Sequence, residues 1–232
     1  MNFKSAEAEG RVNVPITLRY ATLFLLLTFL SYQAHEIFHH LVGGLLCGGL
    51  GTMTFTTYIP KPECRLDAVV TLAGPLLSFA IAWLGAYWLT KRKHMLFAYT
   101  LIFASYAHLR FPLPLMGSGD EWLVARTNLQ QPNSFVIAGI LFLLALPPLV
   151  VAYRSIANRW RVPVFAVSWI LPFVILGSIT ALDVWLLGTE SGSNEPALIG
   201  VPLAIWIVNL IVASLFLFGG HRMFRRHEQT NL

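Results

Sequence analysis

The sequence predicts an all-α polytopic membrane protein with about six transmembrane helices and a short membrane-associated strand or re-entrant segment near residues 52–59. Two observations carry that prediction. Of 232 residues, 56% are hydrophobic and only 12% are Asp, Glu, Lys or Arg, against the ~25% charged residues usual in soluble domains. The charged residues also cluster between long uncharged apolar runs, the pattern of a chain that crosses a bilayer repeatedly. An ordinary soluble domain, a disordered chain and a disulfide-rich secreted fold are excluded together. Cys47 and Cys64 are the only cysteines, which excludes a four-cysteine metal site and leaves one disulfide possible, with nothing in the sequence to support it.

Four stretches are uncharged and long enough for a ~30 Å hydrocarbon core, namely Ala68 to Thr90, Ser134 to Tyr153, Val162 to Leu182 and Ala197 to Gly220. Tyr20 to about Cys47 is a fifth, interrupted only by His35, Glu36, His39 and His40, and Met95 to Leu109 is a shorter sixth that includes His108. The first apolar run is too long for a signal-peptide core and reads as a retained span. The chain thus divides into a polar tail over 1–19, a core over 20–126 that carries the chemically active residues, three further helices over 134–220 and a basic tail over 221–232.

Glycines 43, 44, 48, 49 and 51 weaken the end of the first helix. The TMTFTTYI segment that follows has strand propensity and partial alternation. Such a segment cannot expose its backbone to lipid and has to pack against helices or line a wet cavity.

The net charge of +5 points to topology rather than to nucleic acid, because the basic residues lie in short links. Alternate segments hold twelve Lys and Arg on one side (the two tails and the 91–93 and 154–161 links). The other side holds four: Lys61, Arg65, Arg110 and Arg126. That split predicts six crossings with both termini cytoplasmic. The partner expected from this pattern is the lipid bilayer.

His35-Glu36-Ile37-Phe38-His39 is an HExxH sequence. On a helix, residues four apart share a face, so both imidazoles can reach one metal ion, with Glu36 beside them to deprotonate a zinc-bound water. A carboxylate near a helix centre costs ~2.5–3.5 kcal/mol by insertion scales, which calls for a compensating role. His40 is rotated off the shared face. HEIFHH also reads as HxxxHH, the kind of histidine box that holds two irons, but the chain's seven histidines fall short of such a site.

A catalytic Zn2+ takes three protein ligands and keeps a fourth position open. Asp120 follows a Pro- and Gly-broken turn on the same side of the membrane as the C-terminal end of the first span, so it can meet His35 and His39. The competing reading is a Ser118-x-x-Glu121 capping box with Asp120 in a first helical turn. Asp183, Glu63, Asp67 and His108 are the rival third ligands.

HEIFH in the first span, LAGPLLS at Leu72 to Ser78 and an Asp after a Pro-rich turn together resemble the site-2 protease class of intramembrane zinc metalloproteases. The resemblance spans about residues 31 to 122. It implies His35, His39 and Asp120 as zinc ligands, Glu36 as the catalytic base, and Gly74, Pro75 and Ser78 at the substrate side. It also implies that the 52–59 segment is a strand able to pair with an unwound substrate. Ser78 stands where that class has Asn, and Glu121 stands where it has Gly. The class places its site toward the cytoplasm, whereas the charge tally places this one toward the outer leaflet. The function expected is zinc-dependent endopeptidase action on membrane-embedded or membrane-proximal substrates, with a zinc-binding carrier or non-catalytic pseudoprotease as the alternative.

Overall fold

A computed structural model of the chain describes residues 11–59, 64–129, 131–187 and 199–229. Glu63, Lys61, Lys4 and the outer ends of both tails lie outside the described residues. The protein is an all-α polytopic membrane protein. Among the described residues five helices are long and apolar enough to cross a membrane.

Helix α1 (Leu18–Leu46) begins where Thr17 accepts a hydrogen bond from the Tyr20 amide. It ends in the glycine cluster, with Gly48 in the left-handed region at φ 68°. The 52–59 segment is a small antiparallel hairpin, β1 (Thr52–Met53) paired with β2 (Tyr58–Ile59). The close packing of this hairpin needs the glycines: the Tyr58 ring lies where a Cβ on Gly43 would stand. Cys47 and Cys64 form a disulfide with their Cα atoms 5.0 Å apart. The bond ties the end of α1 to the approach to α2 (Asp67–Thr90).

The sixth crossing differs from expectation. Helix α3 (Met95–Ala104) has only 10 residues, roughly 15 Å of helix, or half a bilayer core. It ends where Tyr106 takes a left-handed backbone conformation, φ 46°. Two 3-10 turns, Ala107–Leu109 and Pro114–Met116, then lead to α4 (Asp120–Asn128). Prolines 112 and 114 cannot donate backbone hydrogen bonds. Local bonds replace the helical ladder, including Leu109 N to Tyr106 O and Gly117 N to Pro114 O.

Helix α5 (Ser134–Ser155) starts from an Asn133 side-chain cap. The fifth span bends between α6 (Arg161–Ile170) and α7 (Pro172–Leu182), where Pro172 restarts the helix, and it ends in a π-turn at Asp183–Leu187. Helix α8 is Leu203–Gln229.

The main core gathers around α3. Phe24, Ala98, Tyr99 and Phe103 are fully buried. Polar cross-links fix the neighbouring helices: Tyr20 Oη to Thr100 Oγ1 at 2.9 Å, and Tyr99 Oη to Ser168 Oγ at 2.9 Å. The N-terminal segment straps onto the α5–α6 link through Val12 N to Ser155 O and Val14 N to Asn158 Oδ1. Arg19 donates to Gly219 O. These contacts gather the N-terminal segment, the α5–α6 link and the α8 region near Gly219 at one end of the bundle.

Candidate metal centre

Helix α1 presents His35 and His39 one turn apart, as the i, i+4 spacing requires, and both are buried. Their Nε2 atoms are 3.0 Å apart. The Asp120 carboxylate, at the first position of α4, approaches the same point: its Oδ2 is 3.3 Å from His35 Nε2 and 3.7 Å from His39 Nε2. Two ligands at ~2.0–2.1 Å from a tetrahedral zinc ion lie about 3.4 Å apart. The three separations bracket that edge length, so the donor set fits the ion.

The outer partners fix the imidazoles. His39 Nδ1 lies 2.7 Å from the Val70 carbonyl, which can only accept. Nδ1 is therefore the protonated nitrogen, and the Nε2 lone pair faces the shared point. His35 Nδ1 bonds Ser78 Oγ at 3.0 Å. Such partners orient metal-binding histidines. They leave lone pairs and a carboxylate facing one point, an arrangement that a cation there would stabilise.

Gly74 lets α2 come this close. A Cβ there would stand 2.6 Å from His35 Nε2, inside van der Waals contact. Pro75 follows it inside α2, buried. Ser78, expected at the substrate side, is bonded to the His35 ring.

The sequence reads Arg110 as one of the links' topology charges, and its place corrects that reading. It is buried at 3% exposure and donates from Nη2 to Asp120 Oδ2 at 2.6 Å and from Nε to Glu121 Oε1 at 2.6 Å. The expected Ser118–Glu121 capping box is absent because the Glu121 carboxylate is taken by Arg110, and Gly119 occupies the cap position without a side-chain bond.

The rival ligands lie elsewhere. Asp183 accepts hydrogen bonds from the Thr54 hydroxyl, the Phe55 amide and the Thr56 hydroxyl, so it holds the hairpin turn. His108 bonds the Trp169 carbonyl at 3.1 Å. His40 bonds the Ile199 carbonyl at 2.6 Å. Asp67 opens α2 and lines a small cavity of ≈ 230 Å³ with Glu36, His39 and Asp120, but it is not in the converging group.

Glu36 is buried at 5% exposure. It lines that small cavity and a larger one of ≈ 750 Å³, which runs between α1, the 106–126 segment and α7. Asp120 borders both. Tyr32, Tyr106 and Arg110 in the larger wall were not singled out from the sequence. Only the spacing of Tyr106 and Arg110 ahead of Asp120 in a broken span could have pointed to them.

Helix α1, α2 and the broken crossing thus bring a His35–His39–Asp120 donor set, with Glu36 alongside, to one buried point. Comparison of the chain with protein-family models, with curated proteins and with solved structures finds no match to any of them.

Proposed function

We propose that the protein is an intramembrane zinc-dependent endopeptidase of the site-2 protease kind. The observation that carries this reading is the convergence of His35, His39 and Asp120 from two separate parts of the chain, with the Glu36 carboxylate in the same cavity wall. His35, His39 and Asp120 would hold the ion. When bound, zinc supplies Lewis acidity that polarises a carbonyl and acidifies water.

The chain's own residues do the rest. Glu36, held beside the first ligand and not itself one of the converging donors, takes the proton of the attacking water and returns it to the leaving amine. Val70 keeps His39 in the tautomer whose Nε2 lone pair faces inward, and Ser78 holds the His35 ring in place. Arg110 and Glu121 hold Asp120 in place. The hairpin, clamped by Asp183, roofs the small cavity with Thr56, Thr57 and Tyr58. A helical peptide bond is closed to this chemistry, so the substrate has to unwind before it enters.

The test is metal content and cleavage together. Purified wild-type protein is expected to hold about one zinc, which His39→Ala removes. Glu36→Gln is expected to retain zinc and stop processing of single-span membrane proteins. Zinc kept with unchanged processing in Glu36→Gln would overturn the peptidase reading in favour of a carrier or pseudoprotease.

We further propose that both termini face the cytoplasm and that the centre opens toward the opposite leaflet. With Arg110 buried at the site, the basic residues favour the tail side twelve to three. The disulfide sits at the opposite end of α1, and disulfides persist in oxidising compartments. Cells quenched with N-ethylmaleimide and then reduced are expected to yield chains with two newly alkylated thiols. Blocking of both cysteines before reduction would contradict the orientation.

A further inference from the structure

We propose that Tyr106 is a catalytic residue, its phenol donating a hydrogen bond to the substrate carbonyl oxygen as that oxygen becomes negative. This inference rests on the peptidase reading above. Such a reaction needs a donor aimed at the developing charge, and Ser78, where a side-chain amide was expected from the resemblance, is bonded to the His35 ring. Ser78 lies at the Nδ1 side of that ring, away from the Nε2 that faces the metal point, so the donor has to come from the cavity side.

Tyr106 fits on four independent counts. Its ring lies 5.6 Å from that of His35 and 5.3 Å from that of Tyr32. It lines the larger cavity together with Glu36 and Asp120. Its hydroxyl is buried near the Ser78 hydroxyl but makes no hydrogen bond of ordinary geometry, although a buried phenol usually makes one. Its backbone is left-handed, φ 46°, a conformation that a bulky side chain holds only when its surroundings impose it, and such residues gather at functional sites.

The alternatives are committed elsewhere. Tyr32 donates to the Thr56 carbonyl, and its hydroxyl lies beside the Glu36 carboxyl. Arg110 is matched by Asp120 and Glu121. Tyr58 also has an unpartnered buried hydroxyl, but that group packs against Gly43, and its residue lines the small cavity and not the larger one.

In the step so described, water adds to the carbonyl carbon while Glu36 accepts its proton. The carbonyl π pair moves onto oxygen, which the Tyr106 O–H contacts. Collapse restores the double bond and expels the nitrogen, which takes the proton from Glu36, leaving a carboxyl group and an amine.

The test uses the zinc-loaded full chain in detergent and two probes, a phosphinic dipeptide with a tetrahedral oxyanion and acetohydroxamate, a planar chelator. Tyr106→Phe is expected to keep wild-type zinc content and acetohydroxamate affinity, to bind the phosphinic dipeptide about 100-fold more weakly, and to lower kcat by about the same factor with KM little changed. Equal phosphinate affinity in the two proteins would overturn the assignment. Loss of zinc in Tyr106→Phe would also overturn it, because the hydroxyl would then be structural. Wild-type protein without zinc, or Glu36→Gln chains that still process substrate, would instead sink the peptidase reading beneath it.

Discussion

Gly74→Ala is expected to empty the metal centre. The added methyl would stand 2.6 Å from His35 Nε2, and neither neighbour has room to move. His35 is held from behind by Ser78, and His39 is held by Val70 of the same helix that would carry the methyl. Relief requires α2 to shift from α1, which carries Ser78 and Val70 away from both rings together. Misplacing outer partners alone costs 10–100-fold in metal affinity, and a direct clash adds to that, so zinc affinity should fall by more than about 100-fold.

Gly85→Ala is the control. It crowds Ala98 O and Ile102 at 2.8 Å on the α2–α3 face, away from the metal centre. Both variants should lose about 1–3 kcal/mol of stability from overpacking, but only Gly74→Ala should lose zinc. Metal analysis with chelator competition on the two proteins separates them. Undiminished zinc affinity in Gly74→Ala would show that the helices do not meet at this distance.

Arg110→Met is expected to be the most destabilising single change in the 105–126 segment. The guanidinium is 3% exposed, and Glu121 and Asp120 have side-chain exposures of 9% and 30%. Removing one member of a buried ion pair costs about 3–5 kcal/mol, because the partner is left charged without compensation. Methionine keeps most of the volume, so the loss reports charge rather than a cavity. Adding Glu121→Gln should restore part of it, since one of the two stranded charges is then gone. Unfolding curves in mixed micelles measure both variants. A single-variant loss within ~0.5 kcal/mol, the range of ordinary surface changes, would mean that the triad is wet and inconsequential.

The sequence made legible whatever depends on periodicity. HExxH places two imidazoles on one face by helix geometry alone, and the long apolar runs locate the spans because bilayer thickness dictates their length. The strand character of the Thr-rich segment was legible because β-propensity changes abruptly after a glycine cluster, but its pairing as a hairpin was not. What stayed hidden depends on which distant group reaches a charge first. Glu121 matches a capping pattern, but Arg110 outcompetes the helix end for its carboxylate. Asp183 looks like any intramembrane acid until the hairpin amide and hydroxyls are seen around it. The Cys47–Cys64 bond was hidden because nothing in the 17-residue separation reveals that the hairpin brings its two ends together. Met95–Leu109 looked like a short span because composition reports apolarity. The break at Tyr106 is a backbone event, driven by packing against His35 and Tyr32.

That half-length α3 has a consequence for the membrane itself. A water-filled recess reaching mid-depth from one face shortens the insulating path to the other, and protons or ions would cross if the remainder were loosely packed. Here the remainder is sealed. Residues 101–110 form an unbroken buried run, and Tyr99, Ile102 and Phe103 are at 1% exposure or less. The short helix closes the bundle as a dielectric floor beneath the larger cavity, so the proposed chemistry would draw its water from one face without making the bilayer permeable.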